Sequence, residues 1–173
     1  MKENESDINE AALERGRESF SRQGLMTHLG AEVVALRAGH CEIRVRYRKE
    51  LTQQHGYFHA GVGAAIADSA AGYAAFTLMS ADSSVLTVEY KINLLAPAQG
   101  DFLLARARVV RSGKTLKICA TDVFGLKNGK ETLCATMLST IMALAGHSDM
   151  PAAGTSKSGA APVHTKPKKE RRR

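Results

Sequence analysis

The sequence predicts one α+β domain in which a curved antiparallel sheet wraps around a long central helix. Residues 57–79 carry one formally charged side chain, Asp68, and consist mainly of small and apolar residues. An alternating strand-like segment precedes them, and four more strand-like runs follow. A helix that is apolar on nearly every side must be covered all round, and its small side chains let a sheet approach closely.

The elements before the central helix are an amphipathic helix and a strand. Residues 8–24 place Leu13 and Phe20 on a modest apolar stripe, and Gly24 is expected to end this helix. In residues 41–48, apolar and charged side chains alternate strictly. This period of two predicts a strand, or one arm of a hairpin, with one face buried.

Four strands are predicted after the central helix. They span residues 85–95, 102–111, 115–124 and 132–144. Gly, Pro, Asp, Asn and Ser occupy the short segments between them, so we expect an antiparallel meander. The edges of such a sheet and one face of the helix would remain uncovered, and a homodimer is therefore expected.

The positive charge of the chain lies almost entirely at its end. The formal net charge is +7, and residues 151–173 contribute +6 of it. The Ala, Gly, Ser and Pro content there predicts a solvated, disordered extension, with loose attachment to RNA, anionic lipid or a partner as the alternative. We divide the chain into a helical segment (1–24), a domain (25–148) and a disordered basic tail (149–173).

The remaining composition excludes several functions. Aromatic residues make up 5% and Trp is absent, so we expect no specific nucleic-acid partner. A central Asp costs about 2.5–3.5 kcal/mol in a bilayer, which argues that residues 57–79 do not span a membrane. The three widely spaced cysteines predict buried thiols in a reducing compartment. Without an apolar leader segment, the expected location is cytoplasmic.

The residues that carry chemistry form a spaced motif. Gln53 stands six residues before His59, Gly56 three before it, and Asp68 nine after it. The motif resembles that of the PaaI-like hotdog-fold acyl-CoA thioesterases, which is Gln or Asn, then Gly, then His-Gly-Gly, then a helical Asp or Glu. The resemblance covers about residues 25–145. It implies the hotdog fold and hydrolysis of an acyl-CoA thioester to a free acid and CoA.

The resemblance also implies a role for each residue. Asp68 would be the nucleophile or general base, and its apolar surroundings should raise its pKa. The Ala60 backbone N–H, at a helix N-terminus, would polarise the thioester oxygen. Gln53 would orient the water or the carbonyl, and Gly61 would help bind the substrate. His59 would contact the thioester or hydrogen-bond the turn that shapes the site.

A second motif could hold the phosphates of CoA. Arg111, Ser112, Gly113 and Lys114 form a predicted turn with two cations, a hydroxyl and a Gly that permits backbone approach. A basic hairpin tip is an equally common surface feature, so both interpretations stay open. No metal or separate cofactor is expected, and CoA enters as part of the substrate.

Two positions depart from the family pattern. Ala60 replaces the first Gly of His-Gly-Gly and adds a methyl group to the substrate's approach. Gly72, four residues after Asp68, stands where several relatives have Ser or Thr. These departures leave an acyl-CoA-binding or regulatory module as an alternative. A 3-hydroxyacyl-thioester dehydratase is the enzymatic alternative.

Helix geometry separates the two halves of the motif. Nine helical positions put His59 and Asp68 about 13 Å apart along the axis and on opposite faces. One chain cannot bring both to the same carbonyl. We therefore expect a composite active site in a homodimer, with Asp68 from one subunit and Gln53, His59 and Ala60 from the other. Pairing of dimers into a homotetramer is compatible with this arrangement.

Overall fold

The computed structural model describes residues 5–147 and residue 149. Its elements before the central helix are α1 (Glu5–Ser21), α2 (Gly24–Leu29), β1 (Ala31–Arg37), β2 (His40–Arg46) and a 3-10 turn (Lys49–Leu51). The central helix and the strands after it are α3 (Ala60–Phe76), β3 (Ser83–Leu94), β4 (Phe102–Ser112), β5 (Leu116–Lys127) and β6 (Lys130–Ala145).

Helix α3 forms the centre of the core. Most of its residues are buried, and Ile66 and Phe76 have no exposed surface. Side chains on the face of the sheet that packs against α3 contribute the rest of the core, including the fully buried Ile43, Leu103 and Ile141. The predicted α+β architecture, a curved antiparallel sheet around an Ala/Gly-rich helix, is confirmed.

The sheet has six antiparallel strands in the order β1-β2-β4-β5-β6-β3. The predicted meander is correct for β4, β5 and β6 but wrong for β3. Strand β3 lies at the far edge and pairs with β6, with Thr87 opposite Ile141. The connection between β3 and β4, residues 95–101, is longer than the two-residue turn of a tight hairpin. Its length therefore does not require β3 and β4 to pair with each other.

The N-terminal helical segment is two helices and not one. Helix α1 ends at Ser21, and Gly24 begins α2 instead of ending the first helix. Between them, Gln23 is extended, with φ −75° and ψ 103°. The residue expected to stop a helix therefore begins the next helix, directly after one extended residue.

Helix α3 is shorter at both ends than the predicted residues 57–79. It begins after His59, whose side chain caps it by accepting the N–H of Gly61. The chain before the cap is extended, and Phe58 forms a β-bridge with Thr52. Apolar residues continue past both ends of α3, but the helical hydrogen bonds between backbone groups do not.

The three cysteines, Cys41, Cys119 and Cys134, are free and buried, as predicted. Burial raises the pKa of Cys41 to about 12 and that of Cys119 to about 11. In the part of the chain that the structure describes, no helix is long and apolar enough to cross a membrane. The predicted disordered tail lies outside the described residues except for Asp149.

Candidate active site

A cavity of about 340 Å³ lies at the start of α3, and we call it the N-terminal cavity. Gln53, His59 and Ala60 contribute polar groups to its lining. Most of the remaining wall is apolar and includes Ile92, Ala96, Ala98, Val123, Cys134 and Ala135. An apolar pocket with a few polar groups suits a ligand that has an apolar body and one polar centre.

The Ala60 backbone N–H is the first of the helix. A residue at this position has no intrahelical acceptor for its N–H, which lies at the positive end of the helix dipole. Ala60 is exposed and lines the N-terminal cavity. The N–H is therefore free to stabilise negative charge that develops on an oxygen in this cavity.

His59 has a structural role in this turn. Its Nδ1 accepts the N–H of Gly61 at 2.9 Å. Of the two roles left open by the sequence, the structure thus shows the hydrogen bond that shapes the turn. Contact with a thioester would have to use the other ring nitrogen, Nε2. The N–H of Gly61 is already bonded and is not available to a substrate.

Gln53 is held by the loop that it begins. Its backbone N–H donates to Tyr57 O at 2.9 Å, and its carbonyl accepts the N–H of Gly56 at 3.0 Å. Gly56 has φ +82°, a left-handed conformation that favours Gly. The side-chain Oε1 of Gln53 accepts the N–H of His55. The amide NH₂ group is what this side chain can offer to a ligand.

Asp68 lies in a second cavity of about 110 Å³ midway along α3, the mid-helix cavity. Its Oδ1 accepts the hydroxyl hydrogen of Thr87 at 2.8 Å. Burial raises the pKa of Asp68, and the Thr87 hydrogen bond opposes this shift. The sequence analysis did not identify Thr87 as a site residue. Thr87 and Val85, two positions apart on β3, both line this cavity.

The N-terminal and mid-helix cavities share no lining residue. Ala60 and Asp68 are eight positions apart in one continuous helix, which is about 12 Å along its axis. One chain therefore does not unite the carboxylate with the free N–H, in agreement with the sequence geometry. Among residues 5–147 and 149, no group of three or more His, Cys, Asp or Glu side chains is placed to hold a metal ion.

The mid-helix cavity has room beside Gly72. A Cβ built on Gly72 would find Val85 Cγ2 as its nearest neighbour, at 4.0 Å. This is ordinary van der Waals contact, so a small side chain fits without displacing the wall. The absence of a hydroxyl at residue 72 leaves space in the cavity that contains Asp68.

The basic turn between β4 and β5 is tight. Arg111 and Lys114 are exposed. The N–H of Gly113 donates to Leu116 O at 2.9 Å, and a Cβ on Gly113 would lie 2.8 Å from that oxygen. Lys117 is buried behind the turn, and its Nζ donates to Gly113 O at 3.3 Å. Burial lowers the pKa of Lys117.

This turn does not reach the N-terminal cavity of its own chain. Strand β5 extends for about 23 Å between the turn and Val123, which lines that cavity. The turn is closer to the other half of the site. Ile141 of β6 pairs with Thr87 on one side and with Lys117 on the other. The predicted CoA-binding cations therefore lie toward the end of the sheet that holds Asp68.

Comparison with known proteins identifies the family. The model of the thioesterase superfamily matches residues 55–131. The chain is 44% identical to a thioesterase family protein from Silicibacter pomeroyi of known structure, over 78% of this chain and 99% of that one, with a TM-score of 0.77. The chain belongs to the thioesterase superfamily. Membership makes it a thioester hydrolase.

Two further proteins are similar to this chain. A 1,4-dihydroxy-2-naphthoyl-CoA hydrolase from Listeria monocytogenes is 29% identical over 109 residues, which is 63% of this chain and 85% of that protein. The PaaI protein of E. coli is 18% identical and has a TM-score of 0.72 over 81% of this chain and 98% of that one. The second likeness shows the shared hotdog fold.

Proposed function

We propose that this thioesterase hydrolyses acyl-CoA esters at a composite site formed by two copies of the chain. Asp68 of one subunit would act on a carbonyl whose oxygen accepts the Ala60 N–H of the other. The observation that carries the proposal is the separation of the two groups. Each cavity supplies half of the chemistry, and one continuous helix keeps the halves apart.

The reaction can follow either of two routes. Asp68 takes a proton from water while the water oxygen bonds to the carbonyl carbon, or Asp68 itself attacks that carbon and water later cleaves the resulting anhydride. In both, the C–S bond breaks, CoA leaves as the thiolate and is protonated, and the acyl group becomes a free acid. Both need water and neither needs a metal or redox cofactor.

Polar groups at the start of α3 would stabilise the developing oxyanion. The Ala60 N–H lies at the positive end of the helix dipole, where negative charge is favoured. The NH₂ group of Gln53 could donate a second hydrogen bond to the same oxygen. The methyl group of Ala60 narrows the approach but leaves the N–H in place.

Edge strand β3 supports dimer formation. It pairs with β6 on one side, and no strand of the described residues pairs with its other side. Four of its apolar side chains are exposed: Leu86, Val88, Tyr90 and Leu94. A second copy aligned on this edge would cover the apolar side chains and extend the sheet. Such a dimer could bring Asp68 of one copy near Ala60 of the other, and two dimers could pair into a tetramer.

The CoA part of the substrate would contact the subunit that provides Asp68. Arg111 and Lys114 are exposed cations, and Ser112 adds an exposed hydroxyl at the same turn. The backbone of Gly113 is hydrogen-bonded within the turn, so Gly113 would shape the turn and not bind phosphate directly. The acyl group would occupy the apolar N-terminal cavity. Because the Listeria relative is named for a naphthoyl-CoA ester, aromatic acyl groups belong in the substrate panel. CoA esters and reduced thiols together favour a cytoplasmic location.

The test is CoA release from a panel of aliphatic and aromatic acyl-CoA esters. Asp68→Asn should lower kcat by about 10²- to 10⁴-fold. Ala60→Pro removes the N–H at a helix position that tolerates Pro, and it should lower kcat by about 10²- to 10³-fold. Ala60→Gly keeps the N–H and is the matched control.

Three outcomes would count against the proposal. Wild-type turnover equal to that of Asp68→Asn, with acyl-CoA still bound, would indicate a binding module. Hydration of an unsaturated acyl-CoA without CoA release would indicate the dehydratase. Full activity of Ala60→Pro would remove the N–H from the mechanism.

A further inference from the structure

We propose that Gln23, from the segment between α1 and α2, positions the water that hydrolyses the substrate. This inference rests on the proposed function and adds a residue from outside the family motif. Gln23 lines the mid-helix cavity together with Asp68. The N-terminal helices would thus belong to the active site, although the sequence separates residues 1–24 from the catalytic domain.

The backbone of Gln23 is fixed between two helices. Its N–H donates to Phe20 O at 3.0 Å, at the end of α1. Its carbonyl accepts the N–H of Thr27 at 3.0 Å and the Thr27 hydroxyl at 3.2 Å, at the start of α2. Three hydrogen bonds therefore fix the position of the Gln23 backbone from which the side chain extends.

Helix α1 is in turn anchored to α3 next to Asp68. The rings of Phe20 and Tyr73 pack edge to face, with centroids 5.6 Å apart. The hydroxyl groups of Ser19 and Tyr73 are 3.2 Å apart in a buried hydrogen bond. Because Tyr73 also lines the mid-helix cavity, these contacts hold Gln23 in register with the wall that contains Asp68.

The Gln23 side chain is held by the residue that follows Asp68. The Ser69 hydroxyl donates to Gln23 Oε1 at 3.1 Å. With Oε1 occupied, the two amide hydrogens on Nε2 are the remaining donors. Within the described residues, the Gln23 side chain makes this hydrogen bond through Oε1 and makes none through Nε2. The amide is thus oriented at its oxygen and available at its nitrogen.

Asp68 is arranged in the complementary way. Its Oδ1 is occupied by the Thr87 hydroxyl, so Oδ2 remains to accept a proton. A water between the two groups would donate to Asp68 Oδ2 and accept from Gln23 Nε2. A cavity of about 110 Å³ is large enough for such a water. The second lone pair of the water is then free to attack.

The same water serves either route of the proposed reaction. If Asp68 is a general base, the water oxygen bonds to the thioester carbon and one water proton passes to Asp68. The C–S bond then breaks, and the departing sulfur takes that proton to leave as the CoA thiol. If Asp68 is the nucleophile, its attack breaks the C–S bond and CoA leaves as the thiolate. The water held by Gln23 then cleaves the anhydride, which releases the free acid, restores the carboxylate and supplies the proton that the thiolate takes up. Gln23 would fix the angle of attack in both cases.

The experiment replaces Gln23 by a side chain of similar size that cannot hydrogen-bond. Gln23→Met should lower kcat by about 10- to 100-fold with KM unchanged, since Gln23 contacts water and not the substrate. Ser69→Ala frees the amide and should give a smaller loss. Gln99→Met, at an exposed glutamine outside both cavities, is the matched control and should keep wild-type kcat.

A rescue variant separates water positioning from folding. Gly72→Ser introduces a hydroxyl into the same cavity, where a Cβ has room. In the Gln23→Met background it should recover at least about tenfold in kcat, because a hydroxyl can hold the same water. A purely structural role for Gln23 predicts a lower unfolding temperature and no recovery of kcat in the double variant.

The outcomes distinguish this inference from the proposed function. Asp68→Asn inactive with Gln23→Met fully active would overturn the inference and leave the proposed function intact. A loss in Gln23→Met that Gly72→Ser does not restore would also overturn it. A wild-type enzyme that releases no CoA would refute the proposed function and the inference with it.

Discussion

At the scale of single residues, two opposing influences act on the charge of Asp68. Burial removes water from the carboxylate and raises its pKa. The hydroxyl of Thr87 donates to Oδ1 at 2.8 Å and favours the ionised form. A base must be ionised to act but basic enough to take a proton, and both influences are needed for that balance.

We predict that Thr87→Val shifts the activity of the enzyme to higher pH. The substitution keeps the shape of the side chain and removes the hydrogen bond that lowers the pKa of Asp68. The pKa therefore rises further, and the acidic limb of the profile of kcat/KM against pH moves upward. Thr87→Ser retains the hydroxyl and should keep the wild-type limb. An unchanged limb in Thr87→Val would show that this bond does not tune the carboxylate.

At the scale of whole elements, Arg15 connects α1 to the C-terminal end of α3. The guanidinium of Arg15, on α1, donates to Ser80 O at 2.8 Å, to Met79 O at 3.1 Å and to Phe76 O at 3.3 Å. It also lies over the Phe76 ring, 4.3 Å from the centroid. A cation at a helix C-terminus opposes the negative end of the helix dipole, and these hydrogen bonds connect α1 to the end of α3.

We predict that Arg15→Met lowers the free energy of unfolding by about 1.5–3 kcal/mol, the usual range for hydrogen bonds that involve a charged group. Methionine keeps the apolar contact with Phe76 and removes the donors. Urea unfolding measures the change. Arg17→Met, at an exposed position on the same helix, is the matched control. Equal unfolding midpoints for the two variants would contradict a capping role for Arg15.

At the scale of the whole molecule, the fold keeps the two parts of the proposed active site apart. The long helix separates the N-terminal and mid-helix cavities, and β3 at the sheet edge exposes apolar side chains. Covering that edge and completing the site would be achieved by the same event. Catalysis and dimer formation should therefore be lost together when the edge is disrupted.

Mixing two inactive variants tests the composite site. In a dimer of one Asp68→Asn subunit and one Ala60→Pro subunit, one site keeps both native groups and the other has neither. Random exchange of equal amounts should restore about a quarter of the wild-type turnover, since half of the dimers are mixed and each has one intact site. Mixed dimers confirmed by mass spectrometry that stay inactive would place the whole site within one chain.

Much of this arrangement follows from local pattern. Alternation over residues 41–48 predicted the buried face of β2, and the uncharged run predicted α3, because periodicity reports which side of an element is apolar. The spacing of Gln53, His59, Ala60 and Asp68 was enough to identify the motif and to divide it between helix faces. These are properties of one element at a time.

Other features depend on residues far apart in the chain. The partner of β3 was mispredicted, because seven connecting residues permit several pairings. Neither Thr87 nor Arg15 carried a sequence signal, since one is an ordinary strand Thr and the other an ordinary helical Arg. Gln23 lies beside a Gly that was expected to stop a helix, yet it lines the cavity of Asp68.

Sequence pattern alone was sufficient to predict the fold class and the family, because both depend on short-range periodicity or spacing, and it made Asp68 and Ala60 candidate site residues. The groups that surround these two residues became visible with the tertiary structure. It showed that Thr87 bonds to the carboxylate and that His59 caps the helix. It also showed that Gln23, between the two N-terminal helices, lines the mid-helix cavity. Such contacts arise when packing brings distant segments together, and no local pattern encodes that packing.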